Sequence, residues 1–329
     1  MIPVKSKKYD FDITVSPNTY AGELALPYVT AAILGAETIN KGRARLIEGV
    51  VHKAVINALE YDGGLLQASA CDFADGASMT LSEQVVTLSD LMVNENICRG
   101  TIFPTFMAAA GRMRRDGQIP PDFAQFLLAA TAEQAGKSLE SLMWGGASPF
   151  GTGLLSDDGT FDITGVRASQ MGGFAEFDLT GITSGPVLTA ANILEALDGV
   201  FATAAATPGI LGKPGCGFYI SYEAYAFFQQ AIAAQGTDMG YNRDLKEVTY
   251  LGYPVYATSG IPNTVDIIAF TYPDNIVVGT NAYTGNEAAN LIPAYQYDGS
   301  DNVRVTMNFA VGVNVAVAAD GVVGFDFTA

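Results

Sequence analysis

CGFYISYEAYAFFQQAIAAQG (216–236) and YLGYPVYATSGIPNTVDIIAFTYPDNIVVGTNA (250–282) are the stretches whose reading decides the fold class. CGFYIS (216–221) is a short, continuous apolar run rich in β-compatible residues and reads as a buried strand. YEAYAFFQQAIAAQG (222–236) spaces its apolar residues at helical intervals and stops at Gly236. NRDLKEVTYLGYPVYATSGIP (242–262) and VDIIAFTYPDNIVVGTN (265–281) read as strands joined by sharp turns. Upstream, GPVLTAANILEALDGVFATAA (185–205) has the spacing of a helix. Helix and strand thus alternate over 185–290, the texture of an α/β unit.

The flanks have a different texture. In DNVRVTMNFAVGVNVAVAADGVVGF, within 291–327, residues 303, 305, 311, 313, 315 and 317 are all Val. That alternation predicts strands with one buried face. PDFAQFLLAATAEQAGKSLESLMWGG (121–146) predicts a helix of about six turns, with Pro121 in its first turn and Gly145–Gly146 at its end. LPYVTAAILGAETINKG (26–42) predicts a shorter helix ending before Gly42, and residues 43–60 predict strands separated by a turn near Gly49. Residues 65–98 contain two extended runs around DFADGAS and predict a long hairpin turning at Asp75–Gly76. A hairpin of that length needs a surface to lie against.

Composition narrows the function. Hydrophobic residues make up 49% of the 329 and charged residues 16%, against about 25% charged in an ordinary soluble domain. Such a surface is economically explained by coverage with further copies of the same chain. Net charge is −17 and unevenly spread: 54–98 holds no Lys or Arg, and beyond 150 five cations oppose eighteen carboxylates. The chain as a whole cannot wrap nucleic acid, although its few basic clusters can line one face. Cys71, Cys98 and Cys216 are odd in number and widely spaced, which indicates neither a disulfide framework nor a zinc site. The start MIPVKSKKYDFD lacks the apolar core of a signal peptide, and no run of about 18 apolar residues spans a bilayer.

Catalytic chemistry is missing. His52 is the only histidine, so histidine triads and histidine metal sites are excluded, and it reads as a buried or half-buried structural residue. Gly136-Lys137-Ser138 imitates a phosphate loop, but the required upstream glycine position holds Thr131 and the fragment lies inside the long helix. Asp157, Asp158, Asp162, Glu176 and Asp178 offer carboxylates for calcium or an acid pair, yet they lack the spacing of a calcium loop and read more simply as solvated loop acids. We read the chain as no enzyme, with no cofactor.

The element order is arm, short helix, long hairpin, long helix, Gly-rich passage with GTGLL (151–155), α/β block and closing strands. Together with the L-G-Y-P-V strand (251–255) and the G-I-P turn (260–262), it resembles the major capsid proteins of tailed bacteriophages, the α+β fold of the Hong Kong 97 type. The resemblance spans nearly the whole chain and implies an N-terminal arm (1–20) and an extended β-hairpin loop (65–98). It further implies a peripheral domain (21–64, 99–184 and 291–329) with its spine helix at 121–146, and an axial domain (185–290). It implies a subunit that assembles with itself through pentamers and hexamers into an icosahedral head in the bacterial host cytoplasm. That head would hold double-stranded DNA by non-specific contact, with a portal and scaffold or decoration proteins as partners, and no membrane. Some relatives cross-link a lysine of the extended loop to an asparagine; no lysine lies between Lys53 and Lys137 here, so that chemistry is not expected. The chain starts with Met1 directly in the arm, so a separate scaffold, or none, is expected. Lys5, Lys7, Lys8, Arg112, Arg114 and Arg115 are candidates for the DNA-facing side or for inter-subunit contacts with the acidic Asp72, Asp75 and Glu83. The alternatives are an encapsulin-like compartment of the same fold, a secreted β-rich binding protein, and a hydrolase built on the carboxylates.

Overall fold

The computed structural model describes residues 18–21, 26–62, 66, 78–98, 100–102, 104–108, 123–207, 209–234, 248–282, 288–294, 297, 299–300 and 302–327. In chain order these form β1 (Asn18–Ala21), α1 (Leu26–Leu34), α2 (Glu37–Asn40), β2 (Arg45–Ile47), β3 (Lys53–Asp62), β4 (Ser78–Thr87) and β5 (Ser89–Cys98). Then follow α3 (Phe123–Gly145), α4 (Ile163–Ala168), β6 (Ala175–Asp178), α5 (Ile193–Ala206), β7 (Gly217–Ser221) and α6 (Tyr222–Ala234). The chain continues through β8 (Thr249–Tyr250), β9 (Tyr253–Thr258), β10 (Ile268–Thr271), β11 (Ile276–Thr280), β12 (Ala288–Pro293), β13 (Asn302–Val315) and β14 (Val322–Phe325).

Two six-stranded sheets carry the molecule. The second runs β6-β14-β10-β7-β9-β8, mixed parallel and antiparallel. All five residues of its strand β7 are buried, which is why GFYIS reads as a continuous apolar run. Phe218 and Ile220 face the core shared with α5 and α6, while Tyr219 faces the opposite core and stacks 5.6 Å from Trp144 of α3. The first sheet is organised by β13, whose Val303–Asn308 pairs with β12, Val311–Val315 with β11 and Asn302–Val311 with β5; β1 adds beyond β12 and β2 beyond β11. The alternating valines bury Val303, Val305, Val311, Val313 and Val315 beneath α1 and α3.

Sequence expectation and structure differ at four places. The helix of 26–42 is two helices with a break at Gly35. There α1 crosses α3 so closely that a Cβ on Gly136 would sit 2.5 Å from the Gly35 Cα. The helix of 185–205 begins only at Ile193, because buried Asn192 ties down the preceding turn. Its Oδ1 accepts from the Thr189 N–H (2.7 Å), and its Nδ2 donates to the carbonyls of Gly185 (3.0 Å) and Val187 (2.8 Å). The second run of the expected 65–98 hairpin is divided between two sheets, while most of its first run and its Asp75–Gly76 turn lie outside the described residues. β4 pairs with β3 in a separate two-stranded ribbon (Lys53 opposite Thr87, Asp62 opposite Ser78), whereas β5 belongs to the first sheet. His52 is exposed, at the base of that ribbon, and only its carbonyl is engaged, by the Leu88 N–H at 3.0 Å.

One buried carboxylate joins the layers. Glu140 of α3 is 1% exposed. Its Oε1 accepts from the hydroxyls of Thr38 (2.5 Å) and Thr258 (2.6 Å) and the Trp144 indole N–H (3.0 Å); its Oε2 accepts from the Thr38 N–H (3.0 Å). Four donors to one carboxylate compensate its removal from water. Beside it, Glu37 of α2 accepts from Lys41, Tyr222 and the Ser259 N–H (3.1 Å). Burial alone would raise the Glu37 pKa, but these donors outweigh it and hold the carboxyl below its ordinary value. Burial together with that carboxylate pushes the Tyr222 hydroxyl up to about 12.

The Glu140 node has a measurable consequence. Glu140→Gln must aim an NH₂ at one of the donors now satisfied, whichever way the amide lies. The variant should lose about 2–4 kcal/mol of stability by urea unfolding; an unchanged midpoint would mean that the node is not needed.

Candidate assembly surfaces

The ribbon β3–β4 leaves the body where the chain passes through Leu88 into β5. Gly312 of β13 lies under this passage, where a Cβ would come 2.1 Å from the Thr87 carbonyl oxygen. The ribbon's root is fixed on one face. Val86 is fully buried over Gly279 of β11, where the missing side chain leaves room for it, and the Val85 carbonyl accepts from the Asn314 side chain at 2.9 Å. The opposite face is uncovered. Directly paired residues share a face, so Val55 and Val85 lie with Leu81 and Met79 in one stripe. These four are 56%, 39%, 54% and 61% exposed, apolar side chains standing in water on two strands, either side of the Asn57–Glu83 pair. The signal for it was present in MTLSEQVV, whose odd positions are Met79, Leu81, Glu83 and Val85.

A second surface lies between β5 and α3, an open groove of about 660 Å³. Its walls are mostly apolar, with Leu91, Val93 and Ile97 of β5 and Phe126, Leu139 and Leu142 of α3, and polar groups enter at Glu95, Gln134 and Ser138. Sequence reasoning did not anticipate this groove, because helix and strand patterns reveal which face is apolar but not the gap left between two elements.

Of the predicted contact residues, only Glu83 is described; it lies exposed on β4, opposite Asn57, on the same face as the apolar stripe. Lys5, Lys7, Lys8, Asp72, Asp75, Arg112, Arg114 and Arg115 lie outside the described residues.

Four of the five carboxylates considered for catalysis or calcium are occupied locally. Asp162 caps α4, accepting from the Gly165 N–H at 2.7 Å, and Asp178 accepts from the Thr180 N–H (2.9 Å) and hydroxyl (2.6 Å). Asp158 accepts from the Thr160 N–H at 2.8 Å, and Glu176 forms a two-pronged pair with Arg167 at 2.8 and 2.7 Å. Among the described residues no group of three His, Cys, Asp or Glu side chains converges to hold a metal ion, and no helix is long and apolar enough to cross a membrane. The Gly136-Lys137-Ser138 fragment lies within α3, with Ser138 donating to the Gln134 carbonyl (3.2 Å) and Lys137 paired to Glu133 (2.9 Å). Cys216 is buried and donates to the Ile210 carbonyl; burial first, then the nearby Asp320 charge, pushes its thiol up to about 11.

Two measurements follow from this geometry. Leu81→Ser should leave stability within about 0.5 kcal/mol of wild type, whereas Val86→Ala should cost about 1–3 kcal/mol; equal losses would contradict the assignment of faces. In a Cys71→Ser/Cys98→Ser background, Cys216 should resist alkylation at pH 8, where its thiol is almost wholly protonated, and react once denaturant is added. Rapid labelling of the folded chain would overturn its burial.

No family model and no curated protein matches the sequence. Among solved structures, the chain is similar to the capsid of a native GTA particle, at 12% identity and a TM-score of 0.53, over 99% of this chain and 96% of that one. It is similar to the capsid of the Myoviridae phage XM1 at 11% identity and a TM-score of 0.52, over 88% and 91% of the two chains. A chain of Gordonia phage Cozz matches at 13% identity and a TM-score of 0.52, over 88% and 86%. With its two sheets, long helix and protruding ribbon, the chain has the α+β fold of tailed-phage capsid proteins, the Hong Kong 97 type.

Proposed function

We propose that this chain is the structural subunit of an icosahedral phage head, assembling through pentamers and hexamers around double-stranded DNA. The observation that carries the reading is the ribbon: a chain with a capsid fold holds an apolar stripe out in water, anchored at its root and uncovered along its length. A two-stranded ribbon is marginal by itself. Laid on a neighbouring copy it would cover its stripe and tie two subunits together, and contacts of this head-to-tail kind close into rings. The groove between β5 and α3 is the candidate surface to receive a segment of a neighbour. Each such contact can be weak, because a shell repeats it many times.

In this reading 1–20 is the arm, 65–98 is the extended loop, whose strand β4 forms the ribbon with β3, α3 is the spine of the peripheral domain and 185–290 is the axial domain. Lys5, Lys7, Lys8, Arg112, Arg114 and Arg115 supply either the few DNA-facing cations or partners for the acidic loop residues Asp72, Asp75 and Glu83. At a net charge of −17, DNA contact is confined to such clusters and carries no sequence preference. The subunit is assembled in the bacterial host cytoplasm and ends in the virion, with a portal and scaffold or decoration proteins as its other partners.

The test is expression of the chain alone, with negative-stain microscopy and sedimentation. Shells, tubes or rings of five and six subunits are expected, and nucleic acid in the particles would distinguish a viral head from a protein compartment. Met79→Asp/Leu81→Asp should abolish particles while the unassembled chain keeps its circular dichroism spectrum. A chain that stays monomeric, even together with the products of adjacent genes, would sink the proposal.

A further inference from the structure

The turn Tyr250-Leu251-Gly252-Tyr253 joins β8 to β9 at the outer edge of the second sheet, with Tyr250 paired to Tyr253 across a two-residue loop. Both central residues have positive φ, +49° at Leu251 and +86° at Gly252. This loop type favours Asn, Asp or Gly at its first central position, because any Cβ crowds the backbone there and only a short polar side chain recovers something by local hydrogen bonding. Leucine does neither. Leu251 is one of only two residues other than glycine with positive φ among those described, and its side chain is 56% exposed.

The turn is also held rigid. The Tyr250 ring packs edge-on against Phe218 and Phe228, and its hydroxyl donates to the Asp198 carboxylate at 2.6 Å. The Tyr253 ring packs against Phe201 and Phe270, and its hydroxyl reaches the Leu211 carbonyl at 3.2 Å. Two anchored tyrosines flank the strained residue, so the leucine is presented in a fixed position. Within one chain it takes on backbone strain and leaves more than half of a large apolar side chain in water. A pre-organised apolar anchor of this kind is what a binding interface uses, since little freedom remains to be lost on docking.

We propose that Leu251 is an apolar knob that inserts into a second copy of this chain, making the β8–β9 turn an inter-subunit contact separate from the ribbon. The choice of a second copy rests on the capsid reading and on a composition with 49% hydrophobic and only 16% charged residues, which suits a surface covered by its own copies.

The experiment compares wild type, Leu251→Asn and Leu251→Met for thermal unfolding of the unassembled chain and for particle yield at one fixed protein concentration. Asparagine suits the turn, so L251N should keep or raise the Tm, by about 2 °C, while lowering particle yield about ten-fold or more. L251M should assemble as wild type does. Wild-type particle yield from L251N would overturn the proposal and leave the capsid reading standing; so would a lowered Tm, which would mean that the leucine packs within its own chain. Failure of the wild-type protein to assemble at all would overturn the capsid reading, and the partner assigned here with it.

Discussion

The layers of this protein are held in register by a carboxylate that has been taken out of water. Glu140 belongs to the long helix, yet its oxygens are filled by donors from the start of α2, the end of β9 and its own helix one turn on. A buried carboxylate tolerates no loose geometry, because every missing donor costs more than the mean value of a hydrogen bond. The node therefore fixes where α2 and β9 sit relative to α3. Gly260 shows how tightly the rest is drawn in, since a Cβ there would fall 1.9 Å from the Trp144 ring. From this point the two cores diverge, one under α1 and α3 and the other under α5 and α6, with Tyr219 and Phe218 on adjacent positions of β7 serving one each.

Around that rigid body the surface obeys a different rule. The ribbon's inner face is rooted by Val86, and its outer face is left as an apolar row; the turn at Leu251 accepts strain; the β5–α3 groove stays open. Apart from the Val86 root, none of these features lowers the free energy of a lone chain. They are compatible with one another if the relevant stable state is an array, where exposed rows and knobs are distributed over many copies and no single contact has to be strong.

What the sequence made legible, and what it did not, follows from the range of each interaction. The helix over 121–146 and the strand–helix pair at 216–236 were readable because their periodicity and terminators are local. The late start of α5 was not, because a single side chain, Asn192, competes with the helix for its first turn. Alternation in MTLSEQVV shows that the strand has two unlike faces but carries no information about its partner, and β4 pairs with β3 across fifteen intervening residues rather than with β5. His52 was expected to be buried or half-buried, the usual state of a lone histidine in a strand-like run, yet it lies exposed at the base of a ribbon with one open face. The fold class was recognisable from element order, while the apolar stripe and the groove required three-dimensional pairing. Of the charged contacts named from sequence, only Glu83 falls among the described residues, on the uncovered face of the ribbon.

The central place of β13 has a consequence for the birth of the molecule. Strands β5, β11 and β12 all hydrogen-bond to it, although the earliest of them, Ser89–Cys98, leaves the ribosome some two hundred residues before. The first sheet consequently cannot close during synthesis. β5 must wait as an unpaired edge until residues 302–315 emerge, and β2 until β11 does, whereas the α5–α6 helices and β7 can already begin to pack. On the proposed capsid reading, subunit and shell share one timetable, in which association cannot begin in earnest before translation of a chain is nearly over. A nascent chain, with its apolar ribbon already made and its main sheet still open, is the form of this protein most exposed to unproductive sticking.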